Sequence, residues 1–207
     1  MFLSSFNRSK ATLHGFVNGD ILFDEGLNKT LSKMKELNAT LKTSLLFGRR
    51  RNYNMTSSSV NGTLPVLWRA MDVKGLANSK NSTLFRMDAF DYFFVTRDYP
   101  FAKFKPLVIS RSGFDTYFAA VTNTWGFTTI DGTGAISAIH QTDRDGNFAH
   151  TKPKNQSDTL YNRKLIGGKF HYGPGYATNA KYQATLDKNS TAVFLKCLKC
   201  KGKKNLV

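Results

Sequence analysis

Leu13-His-Gly-Phe-Val-Asn-Gly-Asp-Ile-Leu-Phe23 is an apolar run cut by one polar triplet, Asn18-Gly19-Asp20. It reads as a buried strand, and the Asn-Gly pair inside it is by itself a turn or bulge signal. Just downstream, Leu27, Leu31, Met34 and Leu37 fall at i, i+4, i+7 and i+10, so a helix is expected from Gly26 to Leu41. Thr43-Ser-Leu-Leu-Phe-Gly48 is a second short apolar strand, closed by Arg49-Arg50-Arg51. A strand, a helix and a strand in so short a span give the βαβ pattern of a mostly parallel sheet, and hence an α/β fold.

The rest of the chain extends that reading. Residues 52–83 are rich in Asn, Ser, Thr and Gly around an apolar patch from Leu64 to Met71, which suggests a surface segment with one short helix. Ala89-Phe-Asp-Tyr-Phe-Phe-Val-Thr96 is a strong strand signal, and Pro106 to Ser110 continues extended. Ser112-Gly-Phe-Asp115 matches a capping box opening a helix to about Thr124, which would bury Phe114, Tyr117, Phe118 and Val121, with Gly126 past its end. Phe127 to Ile130 and Ala135 to His140 read as two further strands. The polar, Gly-rich stretch beyond Asp143 reads as a long ordered loop, followed by a helix from about Thr178.

The length of 207 residues fits a single domain with a sizeable core. Thirty Lys and Arg against fourteen Asp and Glu give a net charge of +16, which favours anionic partners. No nucleic-acid-binding module accompanies the basic residues, so nucleic acid is not an expected partner. No apolar run approaches the roughly 20 residues of a membrane span. Asn-x-Ser/Thr triplets occur at Asn7, Asn28, Asn38, Asn54, Asn61, Asn81, Asn155 and Asn189, half of the sixteen asparagines. This density favours a protein of the secretory lumen, Golgi or endoplasmic reticulum, over a compositional accident. The targeting segment or membrane anchor that this location needs would lie upstream of Met1. Cys197-Leu-Lys-Cys200 lacks the second pair of a four-Cys zinc site, and leaves a small disulfide or two idle thiols open. No spacing fits a dinucleotide fingerprint, a P-loop, a nucleophile elbow or HExxH.

A nucleotide diphosphate is ordinarily held by a hard divalent cation together with basic side chains, at the carboxyl ends of strands in an open α/β sheet. Five ordered motifs bear on that chemistry: Phe16-Val-Asn-Gly-Asp-Ile-Leu-Phe23, Leu46-Phe-Gly-Arg-Arg50, Phe90-Asp-Tyr-Phe-Phe94, Ser112-Gly-Phe-Asp-Thr-Tyr-Phe118 and Ile130-Asp-Gly-Thr-Gly-Ala-Ile-Ser-Ala-Ile-His-Gln141. Together they resemble a group of nucleotide-diphospho-sugar transferases of the GT-A type, over residues 12–185, with 186–207 as a basic tail.

The resemblance implies a metal-dependent, hexosyltransferase-like enzyme that moves a sugar from a nucleotide-sugar donor to a glycan or glycoprotein acceptor. By it, Asp20 matches the last acid of a DxD-type element and, with His140, holds Mn²⁺ or Mg²⁺; Asn18 replaces the first acid. Arg49 and Arg50 would face the diphosphate, with Asp91 either a substrate contact or a structural acid at its strand mouth. Asp115 would be the general base on the acceptor hydroxyl, a role compatible with capping; Thr116 stands where the family usually has Asn. Without the resemblance, His140 reads as an ordinary strand-end histidine. The resemblance further implies an incomplete GT-A sheet, mixed and flanked by helices, whose nucleotide-binding half precedes the residues present. A different class stands beside it: a non-catalytic, basic carbohydrate- or polyanion-binding protein on a degenerate transferase scaffold.

Overall fold

The polar triplet at 18–20 separates two strands rather than interrupting one. β1 (Leu13–Val17) ends before it and β2 (Ile21–Phe23) starts after it, in different sheets. The computed structural model describes residues 2–54, 70–109, 111, 113–142 and 157–200. They form an α/β protein with two mixed sheets flanked by helices. The further strands are β3 (Ser44–Phe47), β4 (Arg51–Asn54), β5 (Ser82–Leu84), β6 (Tyr92–Thr96), β7 (Thr128–Gly134), β8 (Ala138–Thr142), β9 (Tyr182–Leu186) and β10 (Val193–Cys197). The helices are α1 (Phe2–Arg8), α2 (Gly26–Glu36), α3 (Asn38–Leu41), α4 (Ala70–Ala77), α5 (Phe114–Thr124) and α6 (Ser157–Ile166).

The larger sheet has the order β1-β6-β3-β7-β9-β10 and the smaller β2-β8-β4-β5. β1 and β3 both run antiparallel to β6, so they are parallel to each other, and β3 is parallel to β7. The expected mostly parallel sheet is not found: β1 and β3 share a direction, but β6 lies between them, and antiparallel pairings outnumber parallel ones among the described strands. Three short connections, β1 to β2, β3 to β4 and β7 to β8, each carry the chain from the larger sheet to the smaller. All three leave from carboxyl ends of parallel strands, and the amino end of β6 lies at the same end.

Alternation sorts the core. On β3 and β6, Leu45, Phe47, Phe93 and Val95 face a cluster completed by Phe114, Phe118 and Ala119 of α5. Leu46, Tyr92 and Ile130 face the opposite cluster, with Met34 of α2 and Leu41 of α3. The helix expected from Gly26 to Leu41 is divided at Leu37 into α2 and α3, while α5 sits where the spacing placed it, with the four aromatic and aliphatic residues expected to be buried on it buried. α4 packs Val73 and Ala77 against Tyr53 and Ile139 of the smaller sheet.

Other expectations change. The helix expected from Thr178 is a 3₁₀ turn (Ala177–Asn179) followed by β9, whose register with β7 pairs Tyr182 with Ile130. Pairing to a preformed strand here overrides a weak local pattern. The short strands β4 and β5 and the helix α6 arise in polar stretches that carry no strong period. Residues 105–108 form no strand. Instead Asn162 of α6 acts as a strand surrogate, accepting from the Val108 N–H and donating to the Val108 carbonyl, each at 2.8 Å. Ser112, most of the 64–71 patch and the loop expected after Asp143 (to 156) lie outside the described residues. Cys197 and Cys200 form a disulfide. Among the described residues no helix is long and apolar enough to cross a membrane.

Candidate functional site

The shared strand end gathers side chains that are far apart in sequence. Asn18 and Asp20 lie on the connection after β1, Arg49 and Arg50 on the one after β3, and Asp91 immediately before β6. His140 sits in β8, paired with Ile21 of β2 on one side and Asn52 of β4 on the other. This is where open α/β sheets place ligands.

Asp91 is the hub. Its Oδ1 accepts from Asn18 Nδ2 at 2.6 Å, and its Oδ2 accepts from Arg50 Nη1 at 2.5 Å. The Asn18 N–H also donates to the Asp91 carbonyl, at 2.8 Å. The ion pair between Arg50 and Asp91 is buried on both sides, so each partner's lone charge would be costly. Arg50 is further fixed by Nε donating to Asn52 Oδ1 at 3.0 Å and by stacking over the Phe85 ring at 4.3 Å.

Beside this hub, His140 Nε2 lies 3.0 Å from Asp20 Oδ2. Burial first, then the Arg50 charge, holds His140 below the ordinary imidazole range, against the opposing charges of Asp20 and Asp91. The ring is therefore neutral near pH 7 and is a hydrogen-bond donor or a metal ligand rather than a cation. Asp20 Oδ1 is a buried oxygen with no hydrogen-bond partner. An orphaned carboxylate oxygen beside a neutral imidazole fits a divalent cation. Among the described residues no group of three His, Cys, Asp or Glu side chains converges, so such a cation would take its remaining ligands from elsewhere.

Asp115 lies in the first turn of α5, close enough to feel the charges of Asp91 and Arg50. The N-cap is Gly113, in the left-handed region at φ 86°, and it supplies no side-chain cap. The Asp115 carboxylate accepts from the Phe90 N–H at 3.3 Å, and Thr116 Oγ1 donates to the Asp88 carbonyl at 2.6 Å. The helix start is thereby pinned to the strand lead-in that carries Asp91. Burial, followed by repulsion from Asp91, raises the Asp115 pKa to about 8, while Arg50 and the backbone donors pull the other way.

Arg49 points elsewhere. Its Nε donates to the Phe85 carbonyl at 2.8 Å, Nη2 donates to the same oxygen, and its N–H donates to Thr133 Oγ1 at 2.9 Å. The structure thus brings together Asn18, Asp20, Arg50, Asp91, Asp115 and His140, and directs Arg49 to Phe85. Phe85 and Asn52, which orient the arginines, carried no signal in the sequence. Both depend on strands β4 and β5, and Phe85 follows β5 in a polar stretch. An open groove of about 460 Å³ beside β1 and α2, lined by Lys10, Leu13, Leu31 and Lys35 among others, shares no residue with this cluster.

These features define an α/β protein with a polar, partly buried site at the carboxyl ends of its parallel strands. Compared with family models, with curated proteins and with solved structures, the chain matches none.

Proposed function

We propose that the chain carries the metal and acceptor side of a glycosyltransferase that uses a nucleotide-diphospho-sugar donor. One observation carries this reading. Six residues chosen from separate motifs, spread from Asn18 to His140, converge at one strand end through direct contacts and shared electrostatics. Asp20 and His140 would hold Mn²⁺ or Mg²⁺, which when bound neutralises charge on the departing diphosphate. Asn18, oriented by Asp91, shapes the same pocket without adding charge. Arg50 would lend its positive charge to the diphosphate side while staying paired with Asp91, which fixes its guanidinium.

Asp115 takes the proton from the acceptor hydroxyl as that oxygen bonds to the anomeric carbon. The bond from this carbon to the diphosphate breaks, and the leaving oxygen keeps the electron pair. A carboxylate with its pKa near the working pH suits that role better than one near 4. The finer fold reading is an incomplete GT-A sheet. In support, β1 is an edge strand of the larger sheet, and the nucleoside-binding strands implied by the resemblance would add there. The Cys197–Cys200 disulfide supports a lumenal setting independently of the acceptor triplets.

The test is turnover of a panel of nucleotide sugars by the native full-length polypeptide with Mn²⁺. Asp20→Ala and His140→Ala should each lower metal-dependent release of nucleoside diphosphate by about 100-fold or more. Unchanged turnover in Asp20→Ala would remove the metal assignment. The net charge of +16 favours the second reading, a basic carbohydrate or polyanion binder. It requires retention on heparin that is indifferent to EDTA, together with no nucleotide-sugar binding.

A further inference from the structure

The asparagines divide into two populations by what their side chains do. Of the eight that head Asn-x-Ser/Thr triplets, Asn7, Asn28, Asn38, Asn81 and Asn189 have described side chains. None of these five makes a side-chain hydrogen bond among the described residues. Four are exposed, and only Asn38 is half-buried. Six asparagines outside such triplets are described: Asn18, Asn52, Asn78, Asn123, Asn162 and Asn179. All but Asn78 are at least partly buried and bonded through the side-chain amide. Asn18 bonds to Asp91, Asn52 to Arg50, Asn123 to the Pro174 carbonyl, Asn162 to Val108 and Asn179 to the Gly173 carbonyl.

An amide has two donors and an acceptor wherever it occurs, so compositional accident gives no reason for triplet asparagines to be excluded from structural work. A requirement to carry a bulky, hydrophilic group gives that reason directly. We infer that Asn7, Asn28, Asn81 and Asn189 are N-glycosylation sites, an assignment that rests on the lumenal reading but not on the transferase chemistry. The donor class is an oligosaccharide on a polyprenyl diphosphate. The Asn Nδ2 bonds to the anomeric carbon and loses one proton, and the bond to the diphosphate oxygen breaks with the electron pair leaving on the lipid diphosphate.

Local geometry sets the timing and the outward direction. Thr30, which completes the Asn28 triplet, is buried and donates to the Gly26 carbonyl at 2.7 Å, so its hydroxyl is reachable only before α2 folds. Asn189 stands in the β9–β10 turn, which Lys29 and Lys74 fix by donating to the Ser190 carbonyl at 2.6 Å and the Ser190 hydroxyl at 3.2 Å. None of the four asparagines belongs to the Asp20–Asp91–His140 cluster, so glycans there leave the site uncovered by direct attachment.

The native full-length polypeptide, expressed in eukaryotic cells, would be treated with an amidase that converts each glycan-bearing Asn to Asp in ¹⁸O water, and read by peptide mass. Label at all four positions is expected, and each Asn→Gln variant should lose one step of glycan mass with an unchanged melting temperature. A companion variant, Lys164→Thr, creates a triplet at the buried Asn162. Its glycosylated form should fail to leave the endoplasmic reticulum, and export at the wild-type level would sink the premise that inward asparagines cannot carry a glycan. A chain protected from protease inside sealed microsomes, yet unlabelled at these four positions, would overturn the assignment and leave the lumenal reading standing. Digestion of the native chain in that assay would overturn the lumenal reading and the assignment with it.

Discussion

The Asp115 carboxyl is held protonated to about pH 8 by its surroundings, whereas in the unfolded chain it ionises near the ordinary aspartate range. Between those limits the folded state binds the extra proton, so stability falls as pH rises from about 4 to about 8 and levels off above. The slope from this one group approaches about 1.4 kcal/mol per pH unit at most. Asp131, also raised by burial and opposed by its bonds to Thr133, adds to the same trend. Asp115→Asn should therefore flatten the fall without abolishing it, as followed by urea unfolding at several pH values. In the proposed transfer reaction the dependence is opposite, since only the ionised carboxylate accepts a proton. Turnover should climb with pH toward about 8 and lose both its height and that climb in Asp115→Asn. A variant that kept the climb would place the base elsewhere.

At the scale of elements, α5 is the member on which most depends. Phe118 is fully buried and meets the rings of Phe93, Tyr99, Phe101, Phe104 and Phe114, so Phe118→Ala should cost about 3–5 kcal/mol in chemical denaturation. Gly113→Ala puts a Cβ on a left-handed residue and should cost about 1 kcal/mol or more, while displacing Asp115 as well. The sequence disclosed α5 and α2 because both carry a strong helical period, and β3 and β6 because they are uninterrupted apolar runs. It did not disclose β4, β5 or β9, whose own residues carry little pattern and which are strands because of their neighbours. The candidate site was legible as separate motifs. The contact that unites them, Asp91 between Asn18 and Arg50, depends on β6 lying between β1 and β3, a non-local pairing that no local period encodes. Asp115 read from sequence as a cap partner of Ser112, which lies outside the described residues; the contact to the Phe90 N–H, which ties it to the Asp91 lead-in, was not foreseen.

Over the whole molecule the charge is +16, and the described residues form few ion pairs, of which the Lys29–Glu25, Lys33–Glu36 and Arg86–Asp88 pairs each have at least one well-exposed partner. Exposed pairs contribute about 0–1 kcal/mol each, so mutual repulsion of the excess positive charge dominates. Raising ionic strength from about 0.01 to 0.15 M shortens the screening length from about 30 to 8 Å. The melting temperature should rise over that interval, and a fall would mean that attractive pairs outweigh the repulsion. The three crossings between the sheets bear on how such a chain can change in length. Each is tied at both ends to a paired strand, so one residue added between Val17 and Ile21, or between Phe47 and Arg51, would turn a whole strand over or shift its ladder. The β9–β10 turn, by contrast, joins neighbours of one sheet and is tethered elsewhere only by the side chains of Lys29 and Lys74 among the described residues, not by a second ladder. Insertions and deletions should accordingly be tolerated at that turn and excluded from the crossings, leaving the spacing of Asn18, Asp20 and Arg50 from their strands as the rigid measure of this architecture.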